Sequence, residues 1–294
     1  MRLSDNLKGA SLMAGCVTAY VINDAFMKYL FYEMAFFQAI FLRSIISVPP
    51  VLIMIWLTKV AIRNLSIKNK RLLFVRVSAE ICTTVAFLTA LKYMPLANVT
   101  AILQALPLAI TLAAALFLSE PVGWRRWSAI LVGFIGVLIV VRPGLEGFNS
   151  YSIVALIAIL FITLREIITR KLSSEVPTIT VVLSTAVGST IFSGLMMIGT
   201  DWSTLRPTAW LLLIGAAVAV LIATLLNVLA MRTGEIGFVS PFRYTSMIGA
   251  ICLGILMFGD WPDLPTVIGT ILIVSTGIYT FRRETRLRTE ALAD

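Results

Sequence analysis

The side chains of this sequence that could do chemistry lie inside apolar runs, where they are expensive. An ionisable group in the middle of a membrane helix costs about 2.5–3.5 kcal/mol on insertion scales, so it persists only when paired, hydrated or useful. Glu80 is the deepest acid, near the centre of the run Leu72–Leu91. It could bind a cationic group or carry a proton, or it could partner Arg43 or Arg76 and lock a bundle. Arg76 is four residues earlier, which makes a local helical pair geometrically easy. Arg43 and Arg243 lie within their own runs. Arg43 could clamp a carboxylate, phosphate or carbonyl, or pair with a neighbouring helix. Arg243 could face a cavity mouth or extend to the interface. Asp24–Lys28 and Glu166–Arg170 are acid–base pairs at i,i+4 spacing near the ends of runs, expected as a latch or, alternatively, as alternating gates. Arg165–Glu166 is the more deeply placed of the two sites. Gln104 and Tyr244 are neutral polar groups suited to a ring edge, with Tyr20 and Asn227 as weaker companions; interhelical bonding is the other reading for all four.

These residues need apolar elements to carry them. The composition is 59% hydrophobic and 13% charged, and the mean hydropathy is +0.95. A soluble domain runs about 45–50% apolar and about 25% charged. The apolar excess must face lipid, so disorder is excluded and a soluble enzyme disfavoured. Spans of about 20 apolar residues are expected at Leu7–Leu30, Met34–Leu57, Leu72–Leu91, Ala97–Leu118, Trp124–Val141, Ser152–Thr169, Pro177–Ile198, Ala209–Ala230, Val239–Phe258 and Leu264–Phe281. The fold class is therefore all-α, an integral membrane protein of ten transmembrane helices, with the fifth and sixth runs the shortest. The first run carries Asn23 and Asp24 and lacks a small-x-small cleavage pattern, so it is expected to be a retained helix rather than a signal peptide.

The cations are distributed unevenly. With both termini cytoplasmic, that side carries Arg2, Lys8, the segment Lys59–Arg71, Arg125, Arg126, Arg170, Lys171, Arg232 and Arg282–Arg288. The opposite side carries only Lys28, Lys92, Arg142 and Arg206, as the positive-inside rule expects for an even number of spans. Tryptophans 56, 124, 127, 202, 210 and 261 all fall at run ends, as an interfacial belt should. The net charge of +9 thus reads as topology, with no nucleic-acid partner expected. There is no histidine, and Cys16, Cys82 and Cys252 show no CxxC spacing. Catalytic residues, a metal site and a cofactor are not expected. A membrane-embedded enzyme would need a clustered base, nucleophile or metal set, which this sequence does not supply.

The sequence repeats itself. Displaced by 140 residues, Ala90–Gln104 falls on Ala230–Tyr244, with Ala90 on Ala230, Lys92 on Arg232, Val99 on Val239 and Thr100 on Ser240; Glu120 then meets Asp260. Displaced by 142, Asp24, Lys28 and Leu30 meet Glu166, Arg170 and Leu172. Two halves are expected, residues 1–146 and 147–294. Each has an odd number of spans, so the second enters the membrane inverted, an arrangement that supports alternating access about a midplane site. Glu120 and Asp260 each precede a helix and are read as structural dipole partners. Pro107 and Pro241 lie in spans 4 and 9 and should kink them or free carbonyls toward a cavity.

The stretch Ser119–Gly144, with an acid and Pro, a polar turn, a Gly-rich helix and Arg-Pro, resembles the end of the first EamA module of the drug/metabolite transporter superfamily. Gly237–Asp260 resembles the matching part of the second, departing from its Gly-Glu-x pattern at Gly259-Asp260-Trp261-Pro262. The resemblance implies two inverted five-helix modules and secondary transport of a small metabolite through a cavity lined mainly by helices 1, 3, 4, 6, 8 and 9. It places the chain in a bacterial-type inner membrane. Asn23–Lys28 (NDAFMK) and Phe36–Arg43 (FFQAIFLR) are similar to uptake branches for riboflavin, the favoured substrate, and for S-adenosylmethionine. Export of amino acids or other small metabolites through the same fold stays open, as do monomer and homodimer.

Overall fold

A computed structural model describes residues 3–59, 65–117, 124–142, 149–173, 175–233 and 239–290. These are mostly helical, with no strand among them. The full-length helices are α1 (Leu3–Leu30), α2 (Phe36–Thr58), α3 (Ile67–Tyr93), α7 (Tyr151–Lys171), α8 (Thr178–Met196) and α9 (Pro207–Thr233). Each is long and apolar enough to cross a membrane. They correspond to spans 1, 2, 3, 6, 7 and 8. The sixth span is thus full length, and the shorter apolar stretches are spans 4, 5, 9 and 10.

Spans 4 and 9 are interrupted. Span 4 is α4 (Leu96–Leu103) and α5 (Leu106–Phe117), parted by a turn at Gln104–Ala105. Span 9 opens with a 3-10 segment (Ser240–Thr245), continues as α10 (Ser246–Leu253) and ends in a π turn (Gly254–Phe258). Pro107 falls in the first turn of the piece that follows the break in span 4, and Pro241 in the first turn of the 3-10 segment that opens span 9, where the missing N–H removes no helical hydrogen bond. The kink expected at Pro107 is therefore a break between two helices, and Pro241 opens its span instead of bending it. Span 5 is α6 (Trp124–Val141), and span 10 is α11 (Leu264–Glu290).

The packing follows the repeat. Span 1 lies on span 8 and span 3 on span 6, while spans 2 and 7, 4 and 9, and 5 and 10 pack as pairs. Exchanging the halves maps 1·8 onto 6·3 and returns each remaining pair to itself. The boundary expected at residue 146, and Glu120, lie outside the described residues. Trp56, Trp127, Trp202, Trp210 and Trp261 are exposed, consistent with an interfacial belt.

Spans 5 and 10 meet backbone to backbone. A Cβ on Gly269 would stand 2.6 Å from the Gly136 carbonyl oxygen, and one on Gly136 would stand 3.0 Å from that of Gly269. Small residues at both crossing points give this close approach, the usual device of helix association in lipid.

Candidate functional site

A cavity of about 160 Å³ lies between the halves, far more than a single ordered water needs. Its walls come from spans 1, 2, 3 and 4 and from spans 6, 7, 8 and 9. The six spans expected to line it do so. Spans 2 and 7 join them, through Arg43, Ser44 and Ser47 on one and Thr185 and Ser189 on the other.

Beneath the cavity runs a charged network. Arg165 Nη1 donates to both Glu80 oxygens at 3.0 Å, and its Nη2 donates to Glu166 Oε1 at 2.7 Å. Glu166 also accepts from Arg243 Nη2 at 3.0 Å and from Asn227 Nδ2 at 3.3 Å. Arg243 Nη2 reaches Asn227 Oδ1 at 3.2 Å. Arg76 donates to Thr169 and Thr185 hydroxyls at 3.0 and 2.6 Å, and its Nη2 stands 3.9 Å from Glu80. Spans 3, 6, 7, 8 and 9 are thereby tied together by buried groups. Arg165 meets two carboxylates at once, which offsets part of the desolvation of all three groups.

Glu80 lines the cavity as expected, but its main partner is Arg165 of the other half rather than Arg43 or Arg76. Arg243 also lines it and is buried. Gln104 lines it and, from the break in span 4, donates across to Ser246 Oγ at 3.3 Å in span 9. Tyr20 lines it from span 1.

Two expected binding residues do not line it. Tyr244 is buried with its hydroxyl unpartnered and is not among the lining residues. In a 3-10 turn, residues three apart share a face. Arg243 and Ser246 therefore face the cavity together and Tyr244 turns away. Asn227 sits behind the wall, spent on Glu166 and Arg243.

Neither i,i+4 pair forms. Lys28 Nζ bonds the Met94 carbonyl at 2.8 Å and Asp260 at 3.1 Å, over the Phe258 ring. Glu166 turns inward to Arg165 and Arg243, leaving Arg170 exposed. Lys28 meets a carboxylate from the other half because helix 1 ends against the turn before span 10. Asp260 is therefore more than a dipole partner.

Asp24 and Arg43 instead share Asn23. Arg43 Nη1 donates to Asn23 Oδ1 at 3.1 Å, and Asn23 Nδ2 donates to Asp24 at 2.9 Å. All three line the cavity. Arg43 Nε is buried without a partner.

Sequence reading passed over the hydroxyls. Ser44, Ser47, Thr83, Thr84, Thr185, Ser189 and Thr224 all face the cavity. Ser47 and Thr224 donate to carbonyls of their own helices, which leaves oxygen lone pairs for a solute's donors, whereas the Thr185 oxygen already accepts from Arg76. Their spacings of three and four on one helix face were the available signal. Beyond the spans, Asp263 accepts from the Thr266 backbone N–H at 3.0 Å and pairs with Arg142. Burial opposes its ionisation, but these donors outweigh it and hold the carboxyl below its ordinary range.

The EamA-like transporter family model matches residues 7–142 and again 149–281. A riboflavin transporter of Vibrio cholerae serotype O1 is 33% identical over 202 residues, covering 68% of this chain and 67% of that one. An S-adenosylmethionine uptake transporter of Rickettsia bellii is 24% identical over 96% of this chain and 97% of its own. A pseudopaline exporter of Pseudomonas aeruginosa is 26% identical over 92% and 95%. A solved crystal structure superposes with a TM-score of 0.70 at 18% identity, covering 98% of this chain and 99% of that one. That last likeness concerns the fold.

Proposed function

We propose that this chain, which belongs to the EamA-like transporter family, carries riboflavin inward across a bacterial-type inner membrane by alternating access between its two halves. The observation that carries the substrate reading is the chemistry of the cavity wall. Hydroxyls, the amides of Asn23 and Gln104, and the rings of Tyr20 and Phe87 surround one space. Riboflavin is an uncharged flat ring system with an imide edge and a polyhydroxyl chain, and each part has a counterpart there.

Charge balance separates the candidates. The buried groups in and bordering the cavity are four cations, Arg43, Arg76, Arg165 and Arg243, against at most three anions, Asp24, Glu80 and Glu166, so cations are in excess. That excess opposes S-adenosylmethionine, whose sulfonium and ammonium outweigh its one carboxylate, and does not oppose a neutral solute. The riboflavin transporter of Vibrio cholerae supports the same reading. An exporter among the relatives keeps outward movement as a second reading.

The cation distribution favours cytoplasmic termini. On that reading Lys28, Met94 and Asp260 close the outer end in this conformation. The test is ligand-dependent thermal stability of the purified protein. Riboflavin should raise the melting temperature in proportion to log concentration, with S-adenosylmethionine inert. Stabilisation by S-adenosylmethionine alone would reverse the assignment. In Gln104→Ala the riboflavin midpoint should weaken about three- to tenfold, the worth of one hydrogen bond.

A further inference from the structure

The acids around the cavity are not held alike. Glu80 and Glu166 each accept directly from guanidinium groups. Asp24, buried and facing the same cavity, accepts its one described hydrogen bond from the neutral Asn23 amide. Arg43 bonds that amide's oxygen and not the carboxylate. Asn23 is thus a spacer between a cation and an acid.

A buried carboxylate without a direct cation is unfavourable, so a proton or a mobile cation must neutralise it. The charged groups sharing the cavity with Asp24 are Arg43 on span 2, Glu80 on span 3, Arg165 on span 6 and Arg243 on span 9. Spans 4, 7 and 8 present neutral side chains there. Arg165 and Arg243 are engaged with Glu80 and Glu166. Two cations remain within reach: Arg43, which is held on the Asn23 amide oxygen, and Lys28. Lys28 is one helical turn beyond Asp24 and bonds Asp260 across the halves.

We propose that Asp24 is the proton-binding carboxylate of a proton-coupled uptake cycle, and that it competes with Asp260 for Lys28. The inference rests on the transport reading above and adds its driving force. With the outer end open, the Asp24 carboxylate holds the Lys28 ammonium. A proton entering from outside forms an O–H bond on Asp24. Lys28 is released to Asp260 and the Met94 carbonyl, and the outer end closes. Loss of that proton to the cytoplasm breaks the O–H bond and restores the carboxylate, which draws Lys28 back. One proton enters per cycle and no electrons move.

Infrared spectroscopy of the purified protein tests this without a solute. Acidification should produce a carboxylic acid C=O band that is lost in Asp24→Asn and shifted in frequency in Asp24→Glu. The second variant assigns the band even where the first fails to fold. No band in the parent protein, or an unchanged band in both variants, overturns the proposal. In proteoliposomes, an inward proton gradient should raise labelled riboflavin uptake by the parent protein. The residual flux of Asp24→Asn should be the same with and without the gradient. Gradient-independent uptake by the parent protein overturns the coupling. Absence of any riboflavin flux in it counts against the substrate reading instead, and the infrared result still decides the proton site.

Discussion

Arg165 is the residue on which the buried charges depend. It compensates Glu80 and Glu166 at once, so Arg165→Met should cost about 3–5 kcal/mol through two carboxylates left without it. The check is the melting temperature in detergent, beside Gln104→Ala, which should cost about 1 kcal/mol or less. Tyr244→Ala should act through packing, without weakening solute binding, because the side chain turns from the cavity. Asp263 gives a pH dependence. Its folded pKa lies below the unfolded value, so its contribution is present above the unfolded carboxylate range. That contribution fades as pH falls through the folded value. The side chain is 46% exposed, so Asp263→Asn should remove at most about 1 kcal/mol near neutrality and nothing in strong acid. The depth of Glu80 and the polarity of Gln104 were legible in the sequence. Their partners were not, because Arg165 is 85 residues from Glu80 and comes from the other half. The i,i+4 reading of Lys28 failed for the same reason: local spacing identifies a reachable partner, and the fold supplied another.

At the scale of elements, the apolar runs located ten spans because their length reflects bilayer thickness, which sequence records directly. The interruption of spans 4 and 9 was only half legible. Pro107 and Pro241 announced a disturbance, but whether a helix bends or breaks depends on what satisfies the freed groups. Here Gln104, at the break in span 4, meets Ser246, where the 3-10 segment of span 9 passes into α10. Spans 5 and 10 make the sharpest prediction. Gly136→Val or Gly269→Val would force the crossing apart, at a cost of about 1–3 kcal/mol or more. Loss of stability in both single variants, with no further loss in the double, would mark one shared contact. Unchanged melting temperatures would show that the helices do not approach so closely.

For the whole molecule, the repeat read from a handful of aligned residues reappears as a packing symmetry in which exchanging the halves preserves every major helix pair. Low identity between the halves hid the asymmetry that gives each its own task. Lys28 bonds Asp260 across the halves, whereas its mate Arg170 is exposed. Lys28→Ala should therefore increase cavity access from the Lys28 end, measured as faster modification of a cysteine placed at Ser44 in a cysteine-free background. On the proposed function, the space between the halves passes riboflavin. Labelled riboflavin counterflow in proteoliposomes measures this most directly. Exchange should be driven by unlabelled riboflavin inside, resist competition by S-adenosylmethionine and fall in Gln104→Ala. Exchange of S-adenosylmethionine with none of riboflavin would contradict the account.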